Sequence, residues 1–436
     1  MTRPTVFPRV LRDMGGYTPP VSPERTVYRI VPIILLVATT AFADDDWPGF
    51  LGPSHNNHAS PTTLPTKWSE TENIKWKTAI PGEGWSSPVI FDNQIWMTTA
   101  LNEGRSLRAV CVDKTTGQIV HNIEVFTPTD PGNRNSFNSY ASPTPAIEKG
   151  RVYVCFGANG SAAIDTASGQ VIWKNTELKI DHMEGPGSSP ILHKNLYILN
   201  CDGIDKQYVV ALNKDTGQIA WKTPRSTSFM LLPAAMRKAF CTPLPITVNG
   251  KEQLISLGAY NGIAYDPDTG KELWSCSLAG FSNVARPVYA DGMLYVSTGH
   301  AVAQFWAIRA DGAGNVTKTH IAWKFKDSSC ILPTPLLIDG RIFMPMDNGV
   351  VRCLDPKTGQ QIWQSRLGNA FVSSPLYANG LIYLCSTKGL TTVLRPGGKP
   401  DPIAENRLDG RFMASPAVSG NALFLRTDTH LYRVEN

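Results

Sequence analysis

The sequence predicts an all-β fold, in which residues 74–436 form one β-propeller of eight four-stranded antiparallel blades. Three observations predict it. A short strand opening with a small residue and proline recurs eight times, an Asp-containing Thr-Gly or Ser-Gly turn recurs in five close copies, and apolar residues alternate with period two between these markers. Such alternation is typical of strands, and no comparable segment after residue 43 keeps the period of a helix.

The opening strands set the number of blades. Their prolines stand at positions 88, 145, 190, 243, 287, 335, 375 and 416, so neighbouring openings are 40 to 57 residues apart. Known propeller blades repeat every ~40 to 50 residues. Eight openings therefore predict eight blades, with a seven-bladed ring as the alternative.

The recurrent turn joins the last two strands of a blade. Its aspartate can accept backbone N–H bonds, and its glycine supplies the positive φ of a tight hairpin. The strand after it usually ends in tryptophan, whose ring can bury ~150 to 250 Å² against the next blade. The close copies are VCVDKTTGQIVH (110–121), AAIDTASGQVIWK (162–174), VVALNKDTGQIAWK (209–222), IAYDPDTGKELWS (263–275) and RCLDPKTGQQIWQ (352–364). The tryptophans predicted to lie between blades are Trp76, Trp173, Trp221, Trp274, Trp323 and Trp363.

The last repeat is incomplete, because only three strands follow its opening motif ASPAVSG before the sequence ends. The segment IKWKTAI, residues 74–80, precedes the first opening and carries its own Trp76. We predict that this N-terminal strand completes the last blade and closes the ring, because closure removes the exposed sheet edges that invite aggregation.

Residues 1–43 are predicted to be a signal peptide. Arg25 and Arg29 precede the apolar run 30–43, which ends in Ala-Phe-Ala, a small-residue cleavage pattern. A membrane span needs ~20 apolar residues, so cleavage is favoured over an anchor. We expect an exported, soluble monomer, periplasmic or extracellular, with no transmembrane span after processing and with Met1 or Met14 as its start. Residues 44–73 would be a leader segment, with His55 and His58 solvated.

Charge and cysteine content exclude several classes of function. The formal charge is +5, of which five arginines and two acids in residues 1–43 contribute +3, leaving +2 for the rest. Without a Lys/Arg-rich run, no nucleic-acid partner is expected. The eight cysteines contain no CxxC and no adjacent pair, so no metal site is predicted, and mostly free thiols are favoured over disulfides.

At these turn-and-tryptophan copies the chain resembles the pyrroloquinoline-quinone-like (PQQ-like) repeat family, whose members form seven- or eight-bladed propellers. The resemblance covers residues 74–436. The stretches WPGFLGPSHNNHAS (47–60), NSYASPTP (138–145) and DGRFMASPAV (409–418) are similar to an exported branch of that family. The fold follows strongly from the resemblance, whereas function does not, since propellers host unrelated activities.

Two branches of the family imply different functions. Quinoprotein alcohol dehydrogenases hold the quinone over a tryptophan floor, beneath a disulfide between adjacent cysteines, with a calcium ion and an aspartate base. This chain lacks the adjacent cysteines and any CxxCH haem attachment site. The outer-membrane barrel-assembly lipoprotein uses the same propeller as a cofactor-free interaction platform, although its lipid-bearing cysteine is also missing here. We therefore expect no cofactor, with PQQ and calcium as the alternative.

Candidate ligand-binding residues lie in the loops between blades, because these loops gather around the central channel, where ligands commonly bind. A mixed ring of cationic, amide and imidazole groups could hold a sugar or a small anion. The candidates are Arg134, Asn138, Tyr140, Asp181, His182, Arg286 and Arg411. Solvated loop polarity is the competing interpretation for all of them. The apolar stretch MLLPAAMRKAF, residues 230–240, is expected to pack over the propeller face.

The functional hypothesis is a noncatalytic exported propeller that binds a protein, glycan or small ligand through its loop-rich face. The alternative is a PQQ-dependent dehydrogenase, against which the missing cysteine pair argues. A hydrolase or lyase is a third class, for which no nucleophile, metal cluster or paired carboxylates are visible. No catalytic residue is assigned.

Overall fold

The computed structural model describes residues 16, 45–60, 63–226 and 231–436, so the predicted signal peptide lies outside the described residues apart from Gly16. The described chain is all-β, with three 3₁₀ turns at Asn102–Gly104, Gly157–Asn159 and Ala234–Met236. None of its helices has the length and apolar character that crossing a membrane requires. As predicted, eight four-stranded antiparallel blades form one propeller.

Each blade is a meander in which every strand pairs with its sequence neighbours, and its short opening strand lies nearest the channel. In blades 1 to 4 the strands are Val89–Phe91, Gln94–Leu101, Ser106–Asp113, Ile119–Phe126; Ala146–Glu148, Arg151–Cys155, Ser161–Asp165, Val171–Asn175; Ile191–His193, Leu196–Asp202, Gln207–Asn213, Ile219–Pro224; and Leu244–Val248, Lys251–Gly258, Asn261–Tyr265, Glu272–Ser277. In blades 5 to 8 they are Val288–Ala290, Met293–Ser297, Phe305–Arg309, Ile321–Phe325; Leu336–Ile338, Arg341–Pro345, Val350–Leu354, Gln361–Arg366; Leu376–Ala378, Leu381–Cys385, Leu390–Leu394, Pro402–Arg407; and Ala417–Ser419, Ala422–Arg426, His430–Val434, Ile74–Ala79.

The strand Ile74–Ala79 closes the ring, as predicted. It pairs antiparallel with His430–Val434, from Ile74 opposite Val434 to Ala79 opposite His430. The outermost strand of blade 8 is thus contributed by the chain segment that leads into blade 1. Both ends of the propeller are held by one set of ladder hydrogen bonds.

Tryptophans of the outer strands reach the turn of the following blade. In blade 2, Trp173 donates its Nε1–H to the carbonyl of Lys214 in blade 3 at 2.7 Å. Its ring lies against Gly217, where φ is +70° and an added Cβ would come within 2.5 Å of the indole, so only glycine fits the contact. The corresponding acceptors are Lys114 for Trp76, Pro267 for Trp221, Pro356 for Trp323 and Gly397 for Trp363.

Trp274 of blade 4 makes a different contact. Its Nε1–H donates to Gln253 of its own blade at 2.9 Å, although its ring lies in an apolar cluster shared by blades 4 and 5. Blade 5 has no regular turn for it to reach, since the short strand Gly314–Asn315 pairs in parallel with the strand of Trp274. The longer connection in blade 5 accounts for the looser repeat there.

A ring of hydrogen bonds surrounds the channel at the start of the inner strands. The residue before each opening proline is serine or threonine in seven blades, and its hydroxyl accepts the backbone N–H of that position in the preceding blade. The bonds are Ser87 to Thr144, Thr144 to Ser189, Ser189 to Thr242, Arg286 to Thr334, Thr334 to Ser374, Ser374 to Ser415 and Ser415 to Ser87, all 2.9 to 3.0 Å long. Blade 5 interrupts the ring, because Arg286 offers no hydroxyl to Thr242.

The leader packs onto the propeller rather than standing in solvent, so the expectation of a solvated leader was wrong for this part of it. Trp47, Leu51 and Asn57 are buried, and Trp47 pairs with Ile90 in the inner strand of blade 1. His58–Ala59 adds in parallel to the inner strand Leu376–Ala378 of blade 7. These contacts lie further along the inner strands than the hydroxyl ring, so the leader crosses the channel beyond that ring.

Removing the closing strand should strongly destabilise the fold. Deletion of residues 74–79 leaves His430–Val434 as an unpaired edge, and Trp76→Ala alone should cost about 3 kcal/mol because a large ring leaves a partly buried contact. Thermal melting followed by circular dichroism measures both. Lys75→Ala, on the exposed side of the same strand, is the control and should melt like the parent. An unchanged melting temperature for the deletion would contradict closure.

Candidate functional site

A cavity of about 630 Å³ opens among the loops between blades. Six members of the hydroxyl ring line it, namely Ser87, Thr144, Ser189, Thr242, Ser374 and Ser415. Because these residues come from six different blades around the ring, the cavity lies on the propeller axis. Its volume is within the ~300 to 1,000 Å³ typical of ligand sites.

The walls of this cavity are mainly apolar. Phe50 of the leader contributes to the lining, and since the leader crosses the channel beyond the ring, Phe50 forms the floor. The other apolar lining residues are Trp85, Phe137, Met183, Ala235, Phe240, Phe281, Val284, Ile331, Leu332, Val372 and Met413. A ligand would therefore gain most of its binding energy from burying apolar surface.

One ammonium and one carboxylate are the opposed charges of the lining. Lys238 is buried, donates from Nζ to the carbonyl of Ala235 at 2.8 Å and lies 3.5 Å from the carboxylate of Glu184. Glu184 also accepts the side-chain amide of Asn135 at 2.8 Å. The cavity wall is thus close to electroneutral, because its cation already has an anionic partner.

Of the predicted residues in the loop 127–143, Asn138 lines the cavity. Its amide donates to the carbonyls of Glu184 and Pro186 at 2.8 and 3.1 Å. Arg134 binds Glu83 at 2.9 Å and the carbonyl of Asn138, and the Tyr140 hydroxyl donates to the carbonyl of Gly132. Arg134 and Tyr140 are therefore engaged in holding the loop, and neither lines the cavity.

Asp181 and His182 do not line the axial cavity. The carboxylate of Asp181 accepts the N–H of Met183 at 2.9 Å, and His182 borders a much smaller cavity. Nε2 of His182 accepts the backbone N–H of Ala158 at 3.1 Å, and burial lowers the pKa of its imidazole to about 4. The ring is thus neutral at pH 7 and hydrogen-bonded to the backbone, which leaves this pair without the arrangement of an acid–base couple.

Arg286 and Arg411 occupy opposite environments. Arg286 is 1% exposed, interrupts the hydroxyl ring in blade 5 and does not line the cavity; it donates to the carbonyls of Phe50 and Pro243. Arg411 is half exposed, binds Asp428 at 2.8 Å and lies over the ring of Trp85, 5.6 Å from its centre. Arg411 therefore stands at the rim, while Arg286 is out of reach of a ligand in the cavity.

The rim carries exposed apolar side chains that are not among the ligand-binding residues predicted from the sequence. Phe137 and Met183, which line the cavity, are 49% and 41% exposed. Leu231 and Val302 are also exposed and lie in the loops that supply the lining residues Ala235 and His300. The sequence signal was available, since Phe137 interrupts the polar run NRNSFNSY and Leu231 belongs to the apolar stretch 230–240.

One cluster of metal-ligand types occurs among the described residues, and it lies away from the cavity. The ligand atoms of His193, Glu252 and Asp268 lie within 4.8 Å of one another. The ammonium of Lys194 already bridges the two carboxylates, at 2.8 Å from Glu252 and 2.7 Å from Asp268. A cation would have to displace that ammonium.

The cavity lining does not fit PQQ with calcium. PQQ carries three carboxyl groups, whereas the lining offers one lysine that is paired with Glu184. A calcium ion takes six to eight oxygen ligands, usually several of them carboxylates, and Glu184 is the one acidic lining residue. All eight cysteines are buried and unpaired, and none lines the cavity, so no disulfide could cover the quinone.

The buried His182 should make stability depend on pH. The pKa of its imidazole falls from an ordinary 6.5 to about 4 on folding, so the unfolded chain takes up the proton first as pH decreases. The stabilising contribution is complete above pH 6.5 and is lost as pH falls toward 4, about 2 kcal/mol of it between pH 7 and pH 5. In urea unfolding, His182→Gln, whose amide oxygen can accept the same N–H, should lose about 2 kcal/mol less over that interval. Equal pH dependence in the two proteins would contradict this assignment.

Comparisons with known proteins agree with the repeat architecture. The model of a family described as outer membrane protein assembly factor BamB matches residues 60–184, 205–333, 321–398 and 347–436. Tetrathionate hydrolase of Acidithiobacillus ferrooxidans is 22% identical over 56% of this chain and 49% of its own length. Outer membrane protein assembly factor BamB of Yersinia pestis is 23% identical over 64% of this chain and 63% of its own. The chain thus covers less than two thirds of the length of each of these curated relatives, 49% and 63% respectively.

Solved structures share the fold at low sequence identity. A europium-containing methanol dehydrogenase superposes with a TM-score of 0.68 at 10% identity, over 89% of this chain and 91% of its own. BamB from Moraxella catarrhalis superposes with a TM-score of 0.58 at 12% identity, over 83% and 97%. Since the family model matches nearly all of the propeller, the chain belongs to the PQQ-like repeat propeller family described as outer membrane protein assembly factor BamB.

Proposed function

We propose that this protein is a noncatalytic binding protein that holds a protein partner at the axial cavity, with apolar side chains of the partner inserted between the exposed rim residues. The observation that carries the proposal is the apolar cavity whose rim exposes Phe137 and Met183. Exposed apolar side chains around a pocket are typical of protein interaction sites. The predicted signal peptide would place this interaction outside the cytoplasm.

The description of the family as an assembly factor supports a protein partner over the other ligands, although one relative is named a hydrolase. The relative in Yersinia pestis is named an outer membrane protein assembly factor. Such a name describes a protein that binds other proteins rather than one that turns over a substrate. A glycan would need many convergent hydrogen-bonding groups. The amide of Asn138 and the carboxylate of Glu184 already form hydrogen bonds between their two loops. Apolar side chains of a partner require no such groups.

The dehydrogenase alternative has support from fold alone. The methanol dehydrogenase shares 10% of its residues with this chain, and a propeller is a scaffold for unrelated activities. The charge and cysteine content of the cavity oppose it, as described for its lining. For the hydrolase class, His182 has no partner arrangement that would activate water. We therefore propose that the protein acts without a cofactor.

Apolar peptides should bind the cavity and depend on the rim. Fluorescence anisotropy with labelled extended peptides rich in Phe and Leu should show saturable binding, and the same peptides with Ser and Asn replacements should bind far more weakly. The double variant Phe137→Asp and Met183→Asp should weaken binding about tenfold or more, which corresponds to ~1.4 kcal/mol.

A matched control separates the rim from apolar surface in general. Ile172 and Ile362 are each 41% exposed but lie on outer strands of blades 2 and 6. The double variant Ile172→Asp and Ile362→Asp should bind the Phe/Leu-rich peptides like the parent. Equal loss in both double variants, or no binding by the parent, would overturn the proposed site.

The quinone should not bind. Calorimetric titration of the purified protein with PQQ and calcium should give no saturable heat, because the lining supplies too few cations for three carboxylates and too few oxygen ligands for the metal. The Lys238→Gln variant should behave identically. Stoichiometric binding at micromolar concentration would reject the scaffold proposal in favour of a dehydrogenase.

A further inference from the structure

Arg286 is the single interruption of the hydroxyl ring. In each of the other seven blades a small hydroxyl side chain accepts the backbone N–H of the ring position in the preceding blade. The backbone N–H of Thr242 in blade 4 has no such acceptor, because the ring position of blade 5 is arginine. The guanidinium extends from the start of an inner strand to the leader, where it meets the carbonyl of Phe50 at 3.0 Å. A cation is thereby placed inside the propeller.

The hydrogen bonds of this guanidinium leave donors unused. A guanidinium has five N–H donors, and Arg286 makes two hydrogen bonds, from Nη1 to Phe50 and from Nη2 to Pro243 at 2.6 Å. Its Nε is fully buried and has no acceptor among the described residues. No described carboxylate lies within ion-pair distance of it.

The other buried arginines are better satisfied. Arg225 has Nη1 without an acceptor among the described residues, but its charge is compensated by a two-bond ion pair with the carboxylate of Asp202, and it also donates to Ser256. Arg426 has no described carboxylate partner, but it makes three hydrogen bonds, to the carbonyl and hydroxyl of Ser86 and to the carbonyl of Thr98, one more than Arg286. Arg286 alone combines a buried charge without a counter-ion and a buried Nε–H without an acceptor.

The leader adds a second polar atom without a partner near this cation. Nδ1 of His55 is buried and makes no hydrogen bond to a described residue. Burial and the positive charge of Arg286 together lower the pKa of this imidazole to about 3, so the ring stays neutral at pH 7. The charge of the Arg286 guanidinium thus acts on the imidazole of His55.

We propose that a small monovalent inorganic anion, chloride under ordinary conditions, binds beside Nε of Arg286, behind the cavity wall at the interruption of the hydroxyl ring where the leader packs. Burying an unpaired charge costs several kcal/mol, and an arginine cannot escape that cost by losing its proton. One negative charge neutralises the guanidinium and accepts its Nε–H. Because Arg286 is 1% exposed, the site suits a single ion rather than an organic ligand.

Bromide diffraction tests the location. Crystals of the purified protein grown in chloride and transferred to bromide should show an anomalous difference peak within hydrogen-bonding distance of Nε of Arg286. The same experiment on Arg286→Thr should show no peak there. This variant should fold, because threonine occupies the same ring position in blades 2, 4 and 6 and can accept the N–H of Thr242. Density for water alone, without an anomalous signal, would overturn the proposal.

Anion-dependent stability tests the energetics. An ion that binds only the folded state raises the melting temperature in a saturable way. Replacing sodium gluconate by sodium chloride at constant ionic strength should raise the melting temperature of the parent by a few degrees and leave that of Arg286→Thr unchanged. Arg395→Thr, which removes an exposed arginine, is the charge-matched control and should respond like the parent. An equal response in Arg286→Thr and the parent would contradict the site.

Discussion

The pairing of Ile74–Ala79 with His430–Val434 is the constraint on which the rest of the structure depends. A blade exposes two apolar faces, so it is stable only between two neighbours, and a row of blades leaves its ends uncovered unless it closes. Closure by one strand lets Trp76 reach the turn of blade 1 in the way that Trp173 reaches blade 3. Every blade then has two covered faces, and the row of repeats has no end blade.

Closure also determines where a binding site can form. The starts of eight inner strands converge on the axis, and seven of them carry a serine or threonine. Its hydroxyl is close enough to accept the backbone N–H of the same position in the preceding blade. That ring fixes the spacing of the loops above it, and the leader fills the channel below it with Phe50. The axis is therefore a blind cavity, whose depth depends on a segment outside the repeats.

The sequence predicted the features that are encoded in each repeat. It did not predict the axial cavity, which is assembled from residues far apart in the chain. Blade number, closure and the Trp-to-turn pattern follow from short motifs that recur from one blade to the next. The cavity brings together Phe50, Trp85 and Lys238, which no local period relates, and its floor comes from a leader expected to be solvated. Among the polar candidates of one loop, Arg134 and Tyr140 hold the loop itself, whereas Asn138 lines the cavity. Phe137, an apolar residue in the same polar loop, also lines the cavity.

Members of one propeller family can differ in function, because the fold fixes the backbone positions around the axis but not the identity of the side chains there. A quinone site needs cations, oxygen ligands and flat covers converging at the axis, whereas the axial cavity of this chain is mainly apolar and contains one compensated ion pair. Arg286, a buried cation without a carboxylate partner among the described residues, lies outside the cavity lining. The charges that line the cavity are paired with each other, so the cavity is suited to apolar contact, and the chemistry of the lining rather than the number of blades distinguishes it from a quinone site.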